Sequence, residues 1–309
     1  MTLSEPLILG TRGSKLALAQ ANACAARLRE MGLEVEVRII KTTSEHHPNI
    51  PLSVIDQRDV FTRQLDEALL AGAIDLAVHS AKDVPTEVPQ GIVLVAITER
   101  HDSRDALVSD EGYDADGLPE GAVVATSSLR RRAQLLYRRP DLRTIEIRGN
   151  VDTRVRKMRE GRADALVLAR AGLDRLGLEV PHTVMSSETM LPAVGQGALA
   201  VATLEEHPLR ETIRGALDHG PSARAVRAER AMLNTLEGGC RVPVGALGEV
   251  VSGGKLWLRG VVASTDGALL YRAEVVGEEP EDIGEWLARD LLAQGAAVVL
   301  GEIREVRSR

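Results

Sequence analysis

The chain has 309 residues, 44% hydrophobic and 27% charged, ordinary values for a soluble protein of two or three domains. No apolar run approaches the ~18 residues of a transmembrane helix, and the opening Met1–Lys15 lacks the basic start and long apolar core of a secretory signal, so a cytoplasmic location is expected. Two cysteines, Cys24 and Cys240, exclude a disulfide scaffold; a net charge of −7 with 2% aromatics argues against a nucleic-acid binder.

Short apolar strands alternate with helical patterns through the first two-thirds. Ile8–Gly10 ends a strand, and a helix follows with apolar positions at Leu16, Ala21, Cys24 and Leu28. Val35–Ile40 reads as a strand; Phe61, Leu65, Ala68 and Leu69 have helical spacing; Ile74–Val78 and Ile92–Ile97 are further strands. The acidic, Gly-containing stretch 99–120 reads as a domain crossing. Strands resume at Ala122–Ala125, Thr144–Ile147, Ala165–Leu168 and Gly197–Thr203, an alternation that predicts an α/β sheet. After about residue 220 the pattern changes. Ala223–Leu236 is helical, and strands at Val244–Val250, Leu256–Ala263 and Leu269–Val276, separated by Gly-containing turns, predict an antiparallel meander. A helix at Ile283–Leu292 closes the chain in this reading.

Charge is uneven. Of 38 basic residues only five are Lys (Lys15, Lys41, Lys82, Lys157 and Lys255), and the 33 Arg are the better groups for gripping carboxylates with paired hydrogen bonds. A GC-rich genome gives the same bias, but position adds to it. Residues 127–160 hold 11 basic and 4 acidic side chains, a local +7. In open α/β sheets ligands sit beyond the carboxyl ends of strands. Four such ends carry Thr11–Lys15, His79–Asp83, Thr126–Arg132 and Arg148–Asn150 with Arg154 one turn on. Ser14, Ser128 and Asn150 are placed to cap helices, which would present free N–H groups to an anion. The expected ligand is a polyanion held in a cleft.

Two readings are open for Asp83. It is a surface ion pair with Lys82 that caps a turn, or a lone carboxylate among cations that stabilises a developing positive charge and shuttles a proton. Cys24 lies on an apolar helical face and reads as packing. Cys240, in Glu237-Gly238-Gly239-Cys240-Arg241, is either an inert loop cysteine or a thiolate favoured by exposure and the neighbouring Arg241. The histidines show no metal spacing, and no metal is expected.

GTRGSKLALAQA, HSAKDVPTEVPQG, ATSSLRRRAQL, IRGNVDTRVRK, LPAVGQGALAV and EGGCRVPVGA occur in this order. Together they resemble the porphobilinogen deaminase family from about residue 7 to about residue 300. The resemblance implies stepwise head-to-tail joining of four porphobilinogens, with release of ammonia, to hydroxymethylbilane in tetrapyrrole biosynthesis. It implies a dipyrromethane cofactor attached by a thioether to Cys240. It also implies two periplasmic-binding-protein-like domains with mixed, mostly parallel sheets, residues 1–98 with 196–217 and residues 102–193. A C-terminal α+β domain with a three-stranded antiparallel sheet, residues 220–309, would carry the cofactor.

By the same resemblance, Lys82, Thr126, Ser127, Ser128, Arg130, Arg131, Arg148 and Gly149 contact the cofactor. Arg12, Ser14, Arg154 and Gln196 contact substrate. Asp83 would face the pyrrole N–H groups, stabilise the cation left when ammonia departs and assist proton transfer. Arg132 is the member expected to face solvent. Arg58, Phe61 and Arg63 fall where the family has a lid, but Asp56–Phe61 replaces the usual Gly-Lys-Gly run, and Thr42–Glu45 replaces Thr-Arg-Gly-Asp. The implied partners are porphobilinogen and the growing polypyrrole chain, with no nucleic acid and no membrane. The resemblance further implies a monomer that passes its product to the next tetrapyrrole enzyme. The rival readings are a non-enzymatic cytoplasmic binder of a small polycarboxylate and an RNA binder using residues 127–160.

Overall fold

The computed structural model describes residues 5–41, 62–236 and 242–308. It divides into two compact units, residues 1–101 with 198–223 and residues 102–197 with 224–309.

The first unit holds β1 (Leu7–Thr11), α1 (Lys15–Glu30), β2 (Val35–Ile39), α2 (Arg63–Leu70), β3 (Leu76–Ser80) and β4 (Ile92–Ile97). The chain returns to it with β10 (Leu199–Leu204) and α6 (Arg210–Leu217). Its sheet has the order β2-β1-β3-β10-β4. β2, β1 and β3 pair in parallel, and β10 runs antiparallel between β3 and β4, so four of five strands share one direction. Side-chain alternation splits the core into two layers. Leu9, Leu76, Val78 and Val201 pack with Cys24 and Leu28 of α1 and Ile213 of α6 on one face. Ala77, Ile92 and Ala202 pack with Leu65 and Leu69 of α2 on the other. Cys24 is buried there, as its apolar helical face implies.

The second unit begins with β5 (Asp105–Val108), β6 (Val123–Ala125), α3 (Leu129–Arg138), β7 (Arg143–Ile145), α4 (Val151–Lys157), β8 (Ala165–Ala169), α5 (Arg170–Leu176) and β9 (His182–Val184). The order β7-β6-β8-β5-β9 repeats the first sheet's plan, with β5 as the one reversed strand. The stretch read as a crossing therefore contains a central strand, because its Ala106, Leu107 and Val108 are fully buried. The short β9 also went unexpected.

α7 (Gly220–Thr235) leads to β11 (Val244–Val250), β12 (Leu256–Ala263) and β13 (Leu270–Gly277), an antiparallel sheet in chain order. α8 (Pro280–Leu291) and α9 (Ala297–Ser308) follow, so the chain does not close on the helix near 283–292. Gly295, at φ 120°, separates those last two helices. The core here is Met232, Leu236, Leu256, Leu258, Leu287 and Leu291. Gly284 lets α8 lie against α7, since a Cβ there would stand 2.4 Å from Ala228 O. Among the described residues no helix is long and apolar enough to cross a membrane.

Candidate functional site

In the first unit β1 and β3 run parallel as neighbours, so their carboxyl ends emerge at one edge. After β1, Ser14 caps α1 by accepting from Ala17 N at 3.2 Å, and Thr11 Oγ1 donates to Ala17 O. After β3, a tight turn over Ala81–Asp83 is pinned by Ala81 N donating to Ala198 O and Val84 N donating to Ala81 O. His79 and Ser80 lie within β3 itself. Gln20, buried on α1, donates to Ser80 Oγ at 2.9 Å and holds the strand end in place.

This edge brings together Arg12 and Asp83, Nη2 to Oδ2 3.8 Å, each about a quarter exposed. Lys82 and Ser14 are half-buried beside them in sequence. His79 is buried in β3, and burial, with the Arg12 charge added, pulls its pKa down to about 3. It is a neutral imidazole at any physiological pH.

In the second unit β6 and β7 are parallel neighbours, and their ends carry the other expected group. Ser128 caps α3 through Arg131 N at 3.4 Å, and Thr126 Oγ1 accepts from Ser128 N at 3.2 Å. Ser127 Oγ donates to Ile147 O at 2.7 Å, which ties the end of β6 to the segment after β7. Asn150 stands at the start of α4, yet its side chain makes no capping bond; its carbonyl accepts from Arg154 N instead. Gly149 has φ 115°, and a Cβ there would meet Thr153 Cγ2 at 2.7 Å, so only glycine fits this turn without strain. Arg154 Nε donates to Gly149 O at 2.7 Å, and Lys157 Nζ donates to Arg148 O at 2.9 Å. Arg148 is half-buried, 4.0 Å from Glu146.

Arg130 and Arg131 are buried, whereas Arg132 is exposed. Both buried guanidiniums turn onto Asp105 of β5, which is fully buried. Arg130 Nη1 reaches Oδ2 at 2.7 Å; Arg131 Nη2 and Nε reach Oδ1 at 2.8 and 3.1 Å. Arg130 Nη1 also donates to Leu191 O and Arg131 Nη1 to Val167 O. Arg130 Nε is buried with no hydrogen-bond partner. Burial alone would raise the Asp105 carboxyl, but the charges of Arg130 and Arg131 override it and hold the carboxyl well below the usual range. Burial lowers Arg130, Asp105 pulls it back up, and Arg131 lowers it again. A guanidinium starts so far above neutrality that it stays charged. The trio therefore carries a net +1 in a buried setting.

Gln196, expected at the substrate, is buried, and its amide nitrogen donates to Ser103 O at 2.7 Å and Asp105 Oδ1 at 2.8 Å. Arg63 lies on α2 and pairs with Glu67 at 2.9 Å. Arg58, Phe61 and Cys240 fall outside the described residues. Asp105 is the residue that sequence reasoning missed. An acid directly before Ala106-Leu107-Val108, three apolar residues in a row, was the available signal for a buried, paired carboxylate. Among the described residues no group of three His, Cys, Asp or Glu side chains could hold a metal ion.

A family profile described as porphobilinogen deaminase, dipyromethane cofactor binding domain, matches residues 7–211, and a second, porphobilinogen deaminase, C-terminal domain, matches residues 223–293. The chain belongs to the porphobilinogen deaminase family. The porphobilinogen deaminase of Rubrobacter xylanophilus is 67% identical over 302 residues, 97% of this chain and 98% of the relative. Those of Geobacter sulfurreducens and Desulforudis audaxviator are 47% and 48% identical, over 97% and 98% of this chain and 96% and 99% of theirs. Among solved structures the methionine binding protein MetQ is 15% identical, with a TM-score of 0.44, over 68% of this chain and 89% of that one. The cofactor-domain profile of the porphobilinogen deaminases spans both Arg12–Asp83 and Asp105–Arg130–Arg131.

Two outcomes follow from these contacts. Asp105→Asn leaves two buried guanidiniums without a counter-charge and should cost about 3–5 kcal/mol, read as a lower urea midpoint; a loss under about 1 kcal/mol would contradict the charge balance described. His79 is neutral when folded down to about pH 3 but titrates near 6.5 when unfolded. The unfolded chain then binds the extra proton, so stability is full above pH 6.5 and falls with acid. That loss is about 2 kcal/mol between pH 7 and 5. His79→Gln should flatten the stability–pH slope in that window, and an unchanged slope would refute the assignment.

Proposed function

We propose that the chain catalyses the stepwise head-to-tail condensation of four porphobilinogens, with release of ammonia, to linear hydroxymethylbilane in tetrapyrrole biosynthesis. The observation that carries the reading is a buried guanidinium pair with surplus positive charge at the strand ends of a chain matched along nearly its whole length by deaminases. Each pyrrole bears an acetate and a propionate, so a growing chain of pyrroles accumulates carboxylates, and arginine forks suit them.

The residues present fit a dipyrromethane group with its four carboxylates. The donor set of the second unit is cationic and hydroxylic, Arg130 has a buried Nε in want of an acceptor, and Gly149 keeps side-chain bulk away from the turn after β7. Ser127, Ser128, Thr126, Arg130, Arg131, Arg148, Gly149 and Lys82 would hold it, with Cys240 as the covalent attachment. When bound, it supplies a covalent primer whose terminal α-carbon is the nucleophile. Arg12, Ser14 and Arg154 would bind the carboxylates of incoming porphobilinogen and orient its aminomethyl group. Asp83, beside Arg12, would stabilise the positive charge that develops as the C–N bond breaks and ammonia takes the electron pair. The same carboxylate would accept the α-carbon proton after the new C–C bond forms. Its partner Arg12 stands 3.8 Å away.

Three further assignments rest on this reading. Residues 1–98 with 196–217, 102–193 and 220–309 act as three domains, which is supported by one sheet in each. The protein works in the cytoplasm as a monomer, and the product passes to the next tetrapyrrole enzyme. Arg58, Phe61 and Arg63 belong to a lid. A non-enzymatic polycarboxylate binder would leave Asp83 without a task among its cations, and the full-length likeness to deaminases lends it no support.

The decisive measurement is the intact mass of the denatured protein. An excess equal to two porphobilinogens less two ammonias, absent from Cys240→Ser, is the expected result. An unmodified chain that gains nothing on incubation with porphobilinogen would refute the reading. Asp83→Asn should keep fold and cofactor mass yet lower turnover by about 100-fold or more; near-parental turnover would remove Asp83 from the chemistry.

A further inference from the structure

Glu229 sits in the middle of α7 and is fully buried. Its carboxylate accepts two backbone hydrogen bonds, from Gly195 N at 2.7 Å on Oε2 and from Gly248 N at 2.8 Å on Oε1. A buried carboxylate is costly unless such donors hold its charge. The two donors come from different parts of the second unit. Gly248 belongs to β11, and Gly195 to the segment 191–197 that precedes β10.

That segment is tied to the arginine cluster at both ends. Beyond Gly195, Gln196 donates to Asp105 Oδ1 and Ser103 O. At the other end, Leu191 O accepts from Arg130 Nη1 at 2.7 Å and Gln134 Nε2 at 3.0 Å, while Leu191 N donates to Gln134 Oε1 at 2.8 Å. Between them Pro192 O accepts from Ala246 N of β11 at 3.0 Å. Gly245 lies so close that a Cβ would stand 2.8 Å from Leu191 O. A continuous route of short polar contacts thus runs from Glu229 through Gly195 and Gln196 to Asp105, Arg130 and Arg131. The same helix ends at Thr235, five residues before Cys240 in the sequence.

We propose that Glu229 is a positioning residue for cofactor loading. It fixes the 195–196 turn, and with it the Asp105 carboxylate and the two guanidiniums, in register with the helix that leads to Cys240. The helix that precedes Cys240 in the sequence thus also sets the carboxylate clamp. A clamp of this kind tolerates only small displacement, about 0.5 Å, before its geometry is lost. The need is for a carboxylate specifically: two N–H groups converge on it, and a Gln side chain offers one acceptor and one donor, so one of the contacts becomes donor against donor. The claim rests on the reading of Cys240 as the cofactor's attachment point.

The test uses the full chain prepared without cofactor and incubated with porphobilinogen, with intact mass followed over time. Glu229→Gln should gain the covalent mass at least 10-fold more slowly than the parent. Leu287→Val trims a buried side chain of the same C-terminal core without touching the 195–196 turn, and should load at the parental rate. In parallel, hydrogen exchange is measured on the unloaded chains. Glu229→Gln should exchange faster in peptides covering 129–138 as well as 195–197, a spread that a merely local defect would not produce. Equal loading by Glu229→Gln and Leu287→Val, or faster exchange confined to 195–197 and 244–250, would overturn the proposal. If Glu229→Gln does not fold, Gln196→Ala cuts the same route one contact later, and parental loading by that variant overturns it equally. A parent chain that gains no mass counts against the deaminase reading, while the exchange experiment still decides the positioning claim.

Discussion

The second unit is organised around one carboxylate. Asp105 is fully buried on a central strand, and it receives Arg130, Arg131 and Gln196 at once. A lone buried charge would be intolerable, and a neutral pair would be an indifferent contributor to stability. Two cations on one acid do something else: they leave a surplus charge that the interior cannot cancel. The guanidinium planes are locked by Leu191 O and Val167 O as well as by Asp105, so the surplus is rigid. Rigidity matters because a bound carboxylate gains most from donors already fixed in place.

The first unit solves a related problem differently. Its cations stand at the ends of two parallel strands, and one of them, Arg12, has Asp83 as a half-buried neighbour rather than a fully buried counter-charge. The 3.8 Å approach leaves Asp83 open to solvent, where Asp105 is enclosed and takes up three side-chain donors. His79 fits the same logic. A protonated imidazole in β3 would add a further positive charge near Arg12, and burial prevents it. The two acids differ in enclosure: Asp83 is about a quarter exposed and Asp105 is fully buried.

Much of this was legible in the residues. Short apolar runs set off by Gly, Ser and Thr located β1, β3, β6 and β7, the strands with candidate ligand ends. Ser14 and Ser128 could be read as caps because each stands directly before a helical pattern. Asn150 stood in the same place but does not cap with its side chain, a matter of rotamer that spacing does not encode. The SSLRRR run suggested an anion site, and Arg132 is exposed as the resemblance implied; that Arg130 and Arg131 turn inward could not be read there, because it depends on Asp105, 25 residues before Arg130. β5 was hidden because it is four residues long, begins with an acid and lies in an acidic stretch. Glu229 was hidden because its partners are backbone amides far away in sequence, and backbone amides leave no signature in composition.

The place of β10 has a consequence for how the chain is made. It lies between β3 and β4, so β4 pairs with no other strand of its sheet until residues 199–204 arrive. The ribosome reaches them roughly 100 residues after β4, which at 5–20 residues per second is a delay of about 5–20 s. The strands of the second sheet, by contrast, all fall within residues 105–184 and emerge in one stretch. The inserted layer can close first, while its host waits with β3 and β4 open-edged. A nascent chain in that interval offers bare strand edges to its neighbours, and it is the period in which a chaperone would matter most to this protein.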